Sequence, residues 1–140
     1  MPLKTNAQMV RIAHLLNGTN DVHTLAPTSP WGSYNTQGNY SFANLHLYKE
    51  ESRNHPADGS HPSLQVTKTF DEVFLSRDFV DFIVDELYLD NFIAELEENT
   101  SYGMDENLLS SINANDYLRA PGGFTSACLR KSIDVAAIGR

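Results

Sequence analysis

The stretch of chain between residues 77 and 98 changes its apolar face halfway along, and this constrains the fold more than any other feature. At about 100° per residue, the apolar side chains of the first half share one face of a helix, while those from Tyr88 onward lie on the opposite face. One straight helix would therefore need cover on both sides. The alternative is a break near 88–90, with Leu89 as a preceding apolar residue and Asp90 as the N-cap of a second helix. We favour the break.

Further helices are predicted on either side of this stretch. Residues 6–16 have apolar side chains at the spacing of one buried helix face, and Asn17-Gly18 favours a left-handed end after them. Ser76 is the predicted N-cap of the helix that begins at residue 77. Residues 104–118 return to helical spacing. The last segment, 125–138, fits either a helix or an edge strand.

Two alternating segments predict a small antiparallel hairpin. Residues 39–48 have apolar side chains on both faces, which favours a covered strand, and residues 63–70 alternate apolar and polar side chains. The polar link between them has turn chemistry at Asp58-Gly59. The predicted fold class is therefore α+β, a small antiparallel β-hairpin packed on a mainly helical layer in the order α-β-β-α-α-α-α.

Composition sets the broad class of the protein. The chain has 140 residues, of which 41% are hydrophobic, so we expect one compact domain over 1–140 with its own core. The single cysteine, Cys128, excludes an internal disulfide framework, and we expect a buried, inert thiol. No leader-like or membrane-spanning apolar run is visible, so we expect a cytoplasmic protein that does not enter a membrane.

The negative charge of the chain is concentrated in its middle third. The formal net charge is -8, yet residues 69–118 hold thirteen acidic residues and one basic residue, Arg77. Such a charge run is typical of a solvated helix face, but it also favours a basic partner. We therefore expect a non-enzymatic module that docks segment 69–118 on a basic, nucleic-acid-binding protein, as an inhibitor of a nuclease or of a CRISPR or restriction complex would.

The residues predicted to contact this partner come from the acidic helices and from the uncharged aromatic loop 24–44. Aromatic rings with Ser, Asn and Gly are typical of recognition loops, but the alternative, that Trp31 and Tyr34 pin the loop to the core, is favoured. The predicted contact residues are Asp78, Asp81, Asp85, Glu86, Asp90, Glu95, Glu97 and Glu98, with Trp31 and Tyr34 from the loop.

Two other functions remain open at this point. His46, His55, Asp58 and His61 could bind a metal ion in a small enzyme, although their spacing fits no ligand signature and a solvated loop is favoured. The apolar faces of 79–96 could instead join copies of the chain in a homo-oligomer. No nucleophile elbow or phosphate-binding loop is present, so we predict no catalytic residue and no cofactor. The net charge of -8 disfavours direct contact with nucleic acid.

Overall fold

Helices supply the regular structure in the described part of the chain. The computed structural model describes residues 4–24, 34–69, 72–98 and 105–123. Within these ranges lie five α-helices and one short 3-10 helix at Glu51–Arg53. The α-helices are α1 (Asn6–Leu16), α2 (Phe42–Leu45), α3 (Arg77–Glu86), α4 (Asp90–Glu97) and α5 (Asp105–Ala114).

The predicted β-hairpin, and with it the α+β fold class, is wrong. No β-strand is present in the described ranges, and α2 occupies the middle of the first predicted strand. The side chain of Ser41 caps this helix by accepting a hydrogen bond from the backbone amide of Asn44, and His46 ends it in the left-handed conformation at a φ of 46°. Local capping therefore overrides the alternating pattern.

The two predicted strand segments still meet, but only at one antiparallel bridge. The bridge joins Ser41 and Ser63. On either side of it, the amide of Leu64 donates to Tyr40 at 2.8 Å and the amide of Phe42 donates to Pro62 at 2.9 Å. A tight turn on the first segment and irregular backbone on the second end the pairing there.

The predicted break between two acidic helices is confirmed. α3 ends at Glu86 and α4 begins at Asp90. The linker turns extended at the buried Leu87, which forms an antiparallel bridge with Tyr48. Next to this bridge, the amide of Tyr88 donates to Leu47 at 2.7 Å. The two apolar faces are thus separated by a strand-like contact.

The N-cap of α3 agrees with the sequence prediction, whereas the N-cap of α4 differs from it. The side chain of Ser76 accepts a hydrogen bond from the amide of Phe79, as predicted for the N-cap of α3. For α4, the N-cap is Leu89, without a side-chain cap, and Asp90 is the first helical residue. The acidic side chain nevertheless lies in the first turn, where it complements the exposed amides.

Aromatic side chains form the centre of the core. Tyr40 contacts Phe92 of α4 edge to face at 6.0 Å between ring centroids, and Phe42 contacts Tyr48 in the same way at 5.8 Å. Such edge-to-face pairs stabilise a core beyond the area that they bury. The buried apolar side chains are Tyr40, Phe42, Leu45, Leu47, Tyr48, Leu64, Val66, Phe79, Phe82, Leu87, Phe92, Leu96, Ile112 and Leu118.

The first helix is confirmed, although its apolar face is not covered by the described residues. Thr5 and Gln8 form a capping box at its start, and Asn17 ends it in the left-handed conformation, as predicted. Val10 and Leu15, however, are exposed. The predicted burial of this face is therefore wrong for the described part of the chain.

The last described range, residues 105–123, contains α5 and a tight loop. The predicted helix over 104–118 is confirmed for Asp105–Ala114, and it ends four residues earlier than predicted. After it, Gly122 has a φ of 67°, and a Cβ atom placed there would lie 2.2 Å from the carbonyl oxygen of Gly18. Glycine is therefore required at this contact between the loop and the end of α1.

Some predictions are not tested by these observations. The segment 125–138 with Cys128, and also Trp31, lie outside the described residues. The single domain and the cytoplasmic location stay predictions. Across residues 4–24, 34–69, 72–98 and 105–123, no helix is both long and apolar enough to cross a membrane.

Truncating one aromatic ring of the core should strongly destabilise the fold. Phe79→Ala removes a fully buried ring from α3 and leaves a cavity, so we expect a loss of about 3–5 kcal/mol in the free energy of unfolding. Val84→Ala, at an exposed position of the same helix, is the control and should change it by less than about 0.5 kcal/mol. Urea unfolding measures both values, and equal losses would contradict this packing.

Tyr40 should make the protein sensitive to alkaline pH. Burial, and then the charges of Glu95 and other neighbours, raise the pKa of Tyr40 from 10.0 to about 12. The pKa of Tyr40 is thus higher in the folded protein than in the unfolded chain. The contribution of Tyr40 to the free energy of unfolding is therefore complete below pH 10 and is lost as the pH rises to about 12. Unfolding free energies measured across this range should fall less steeply in Tyr40→Phe. The residual slope is expected from Tyr48, because burial also raises its pKa. Equal slopes in the wild type and in Tyr40→Phe would contradict the raised pKa of Tyr40.

Candidate functional site

Helix α5 turns a polar face toward the interior. Asn107, Ser110 and Ser111 follow the i, i+3, i+4 spacing of one helix face, and all three side chains are buried. Ile112, on another face, is also buried. The helix is therefore enclosed on more than its apolar side, and it brings hydrogen-bonding groups into the protein.

The backbone of Thr67 receives these polar groups. Its carbonyl oxygen accepts hydrogen bonds from Asn107 Nδ2 at 2.8 Å, from Ser110 Oγ at 3.1 Å and from Ser111 Oγ at 3.4 Å. The amide of Thr67 in turn donates to Ser111 Oγ at 2.9 Å. These bonds fix the extended segment 66–69 against the first half of α5.

An ion pair lies at the end of this contact. Lys68 Nζ is 2.5 Å from Glu106 Oε2, and the two side chains are 14% and 19% exposed. The amide of Thr69 also donates to the backbone oxygen of Glu106 at 2.8 Å. Glu106 is in the first turn of α5, where the helix dipole favours a negative charge. The pair is thus held from both chain segments and still reaches the surface.

Several buried polar atoms close to this ion pair lack a hydrogen-bond partner among the described residues. They are Thr67 Oγ1, Thr69 Oγ1 and Asn107 Oδ1. Leaving such a group unsatisfied is costly, so buried polar atoms in native proteins are almost always paired with protein, water or ligand. We call Thr67, Lys68, Thr69, Glu106 and Asn107 the α5 polar site.

A separate cavity lies beyond the other end of α5. It has a volume of about 640 Å³. Arg53 forms an ion pair with Glu86 on one side of it, and its guanidinium lies 3.7 Å from the centre of the Tyr48 ring. The loop after α5 also lines the cavity, with Asp116, Tyr117 and Arg119.

Four of the eight acidic residues predicted to dock a partner have a hydrogen-bond or ion-pair partner within the described chain. Asp81 is bound by Arg77 at 2.8 Å, and Glu95 accepts a hydrogen bond from the amide of Asn39 at 2.7 Å. Glu86 is paired with Arg53, and Glu98 accepts a hydrogen bond from Asn35 at 3.4 Å. The other predicted acidic contacts, Asp78, Asp85, Asp90 and Glu97, are exposed.

Tyr34, which is one of the two loop residues predicted to contact a partner, lies against the core. Tyr34 contacts Tyr40 edge to face at 6.3 Å and packs against the buried cluster. This is the arrangement expected of a ring that pins the loop.

The histidines proposed as metal ligands are not gathered around one point. His46 Nδ1 and His55 Nε2 lie 3.5 and 3.2 Å from the carboxylate of Glu51. Asp58 instead accepts hydrogen bonds from Ser60, which lower the pKa of this carboxyl. His61 does not join them, and no group of three or more potential metal ligands is present in the described ranges.

The comparison with known families identifies the class of protein. Residues 1–137 match a family model of glycosyltransferases, and that model is described as Branch: Core-2/I-Branching enzyme. The chain belongs to this Core-2/I-branching family. No curated protein matches it.

This membership corrects the predicted function. A glycosyltransferase family points to an enzyme, so the prediction of a non-enzymatic docking module is wrong, as is the description as an inhibitor and nucleic-acid mimic. The expected basic partner and the homo-oligomer stay predictions.

Sequence reasoning missed the α5 polar site. Neither Glu106 nor Lys68 is among the site residues predicted above. The available signal was the polar spacing of Asn107, Ser110 and Ser111 within a helix that also carries apolar residues. A polar stripe beside an apolar one indicates that both faces have partners.

The ion pair of the α5 polar site should be strongly coupled. In a double-mutant cycle with Lys68→Met and Glu106→Gln, we expect a coupling energy of about 1–3 kcal/mol, because both side chains are largely removed from water. Arg77 and Asp81, an exposed pair, provide the control and should couple by less than about 0.5 kcal/mol. Urea unfolding of the variants measures both values. Equal coupling in the two pairs would argue against an enclosed site.

Proposed function

We propose that the chain acts in a glycosyltransferase that moves a sugar from an activated donor to a hydroxyl group of an acceptor glycan. The observation that carries this proposal is the family match over residues 1–137. The α5 polar site supports it, because it combines a carboxylate, a cation and polar atoms that have no hydrogen-bond partner among the described residues.

The reaction requires a group that accepts one proton. The acceptor oxygen forms a bond to the anomeric carbon of the donor sugar, and the bond from that carbon to the leaving phosphate breaks with its electron pair. The hydroxyl proton of the acceptor must leave as this new bond forms. A carboxylate within hydrogen-bond reach of the hydroxyl can take that proton as a general base.

Glu106 is the carboxylate that we assign to this role. Its side chain is 19% exposed, whereas those of Glu51, Asp81 and Glu86 are each at least 45% exposed. A partly enclosed carboxylate can exclude competing water and still reach a substrate. Its fixed position at the start of α5 also favours proton transfer in a defined direction.

The neighbours of Glu106 have supporting roles in this proposal. Lys68 holds the carboxylate in a defined orientation, so it is a positioning residue. The oxygens of Thr67, Thr69 and Asn107 are buried and lack a hydrogen-bond partner among the described residues, so they can bind enclosed water molecules beside the ion pair.

Sugar transfer assays with nucleotide-activated hexoses and N-acetylhexosamines test this proposal, with neutral oligosaccharides as acceptors. Glu106→Gln keeps the shape of the side chain and removes its basicity, so we expect transfer to fall about 10²–10⁴-fold. Asp105→Asn, an exposed acid in the same turn, is the matched control and should retain activity. Mass spectrometry of the acceptor measures the product.

The controls separate two ways in which the proposal can fail. Full activity of a folded Glu106→Gln variant would exclude Glu106 as the base and leave the enzyme class intact. The lack of transfer by the folded wild-type chain with every donor would contradict the enzymatic proposal itself.

A further inference from the structure

Helix α1 has well-formed ends, but the described chain does not cover it. Thr5 and Gln8 close a capping box at its start, and Asn17 ends it in the left-handed conformation. No residue of Asn6–Leu16 is buried in the described structure. A helix of eleven residues is marginal in water by itself, because most helices in proteins are stabilised by the packing of an apolar face. We therefore expect a partner for α1 outside the described ranges.

The surface that such a partner would cover is apolar. Arg11 and His14 lie on one side of the helix, and apolar side chains take up the rest of its circumference. Contiguous exposed apolar surface of this kind is typical of an interaction site. We call the exposed set the α1 apolar face, and its members, which are between 37% and 77% exposed, are Met9, Val10, Ile12 and Leu15.

The loop after α5 brings the remaining chain to the end of this helix. The amide of Asn20 donates to the carbonyl oxygen of Gly122 at 2.9 Å, and Asn20 Nδ2 donates to that of Pro121 at 3.0 Å. Gly122 also lies against the backbone of Gly18. The described chain continues to residue 123, and consecutive Cα atoms are only about 3.8 Å apart. Residues 124–140 therefore start close to the C-terminal end of α1.

The sequence of this segment has an apolar stripe of the right length. At helical spacing, Leu129, Ile133 and Ala136 share one face. Lys131 and Asp134 lie on the opposite face. A helix over residues 125–138 would extend about 21 Å, compared with about 17 Å for the eleven residues of α1. It is thus long enough to follow the whole of α1.

Tethering favours this segment over a second copy of the chain. The segment starts beside α1, so its effective concentration there is high, whereas a second copy must also lose translational and rotational freedom on association. The family match over residues 1–137 includes both α1 and the segment up to residue 137. Both parts therefore belong to one domain.

We propose that residues 125–138 form a helix that packs antiparallel on the α1 apolar face of the same chain. The contact between Gly122 and Gly18 sets the direction, since the segment starts at the C-terminal end of α1 and can follow the helix only toward its N-terminal end. Antiparallel packing also places opposite ends of the two helix dipoles together. This inference does not depend on sugar transfer.

A nitroxide label on the segment tests its position in solution. Cys128 is the single cysteine, so Cys128→Ala with Lys131→Cys creates one labelling site on the polar side of the segment. In the full-length ¹⁵N-labelled chain, we expect much stronger paramagnetic broadening of the Val10 amide than of the Val84 amide in α3. The chain with the reduced, diamagnetic label is the reference. Equal broadening at the two amides, or none at Val10, would overturn the proposal.

A mixed sample distinguishes packing within the chain from packing on a second copy. The ¹⁵N chain without a label is mixed with an equal amount of ¹⁴N chain that carries the nitroxide. We expect no broadening of the α1 amides in this sample. Broadening there would overturn the proposal, because it would place the segment on a neighbouring molecule.

Two matched substitutions measure the effect of the contact on stability. Val10 of the α1 apolar face and Val84 of α3 are 57% and 60% exposed, so their surroundings in the described structure are similarly open. Val10→Asn would place an amide against the packed segment, and we expect the melting temperature to fall by about 4 °C or more. Val84→Asn is the control and should change it by less than about 2 °C. Equal changes in the two variants would overturn the proposal.

Discussion

A single carbonyl oxygen, that of Thr67, organises the polar half of this protein. The side chains of Asn107, Ser110 and Ser111 on α5 donate hydrogen bonds to it. The backbone amide of Thr67 in turn donates to Ser111 Oγ. Because these groups are buried, the loss of one would leave others without partners, which costs more than the bond itself contributes. The register of the extended segment on α5 is therefore strongly specified, and the position of Lys68 beside Glu106 follows from it.

The aromatic core and the polar site place opposite demands on the same helices. Apolar packing needs only volume and exclusion of water, whereas the polar site needs each donor opposite an acceptor. Between α3 and α4, the helix breaks at the point where the apolar face changes. At Leu87 the backbone leaves the helix, makes one strand-like contact with Tyr48, and then enters α4 with the other face inward.

The sequence predicts elements whose signals are local, and it fails where the deciding contact is distant. The ends of α1 and α3 depend on caps such as Asn17 and Ser76, so they were predicted correctly. The strand at 39–48 was wrong because its alternation is also satisfied by a short capped helix with buried residues on both sides. Glu106 could not be singled out among thirteen acids, since its enclosure depends on Lys68, thirty-eight residues away.

The contact between Gly122 and Gly18 joins the two ends of the described chain through backbone atoms alone. Side chains can usually be exchanged for others of similar volume, but this junction has no side chain to adjust. Any larger residue at position 122 would separate the end of α1 from the loop that carries Arg119. Substitution is therefore tolerated least at Gly122, a residue without a side chain. Sequence variants that preserve the fold should retain glycine there.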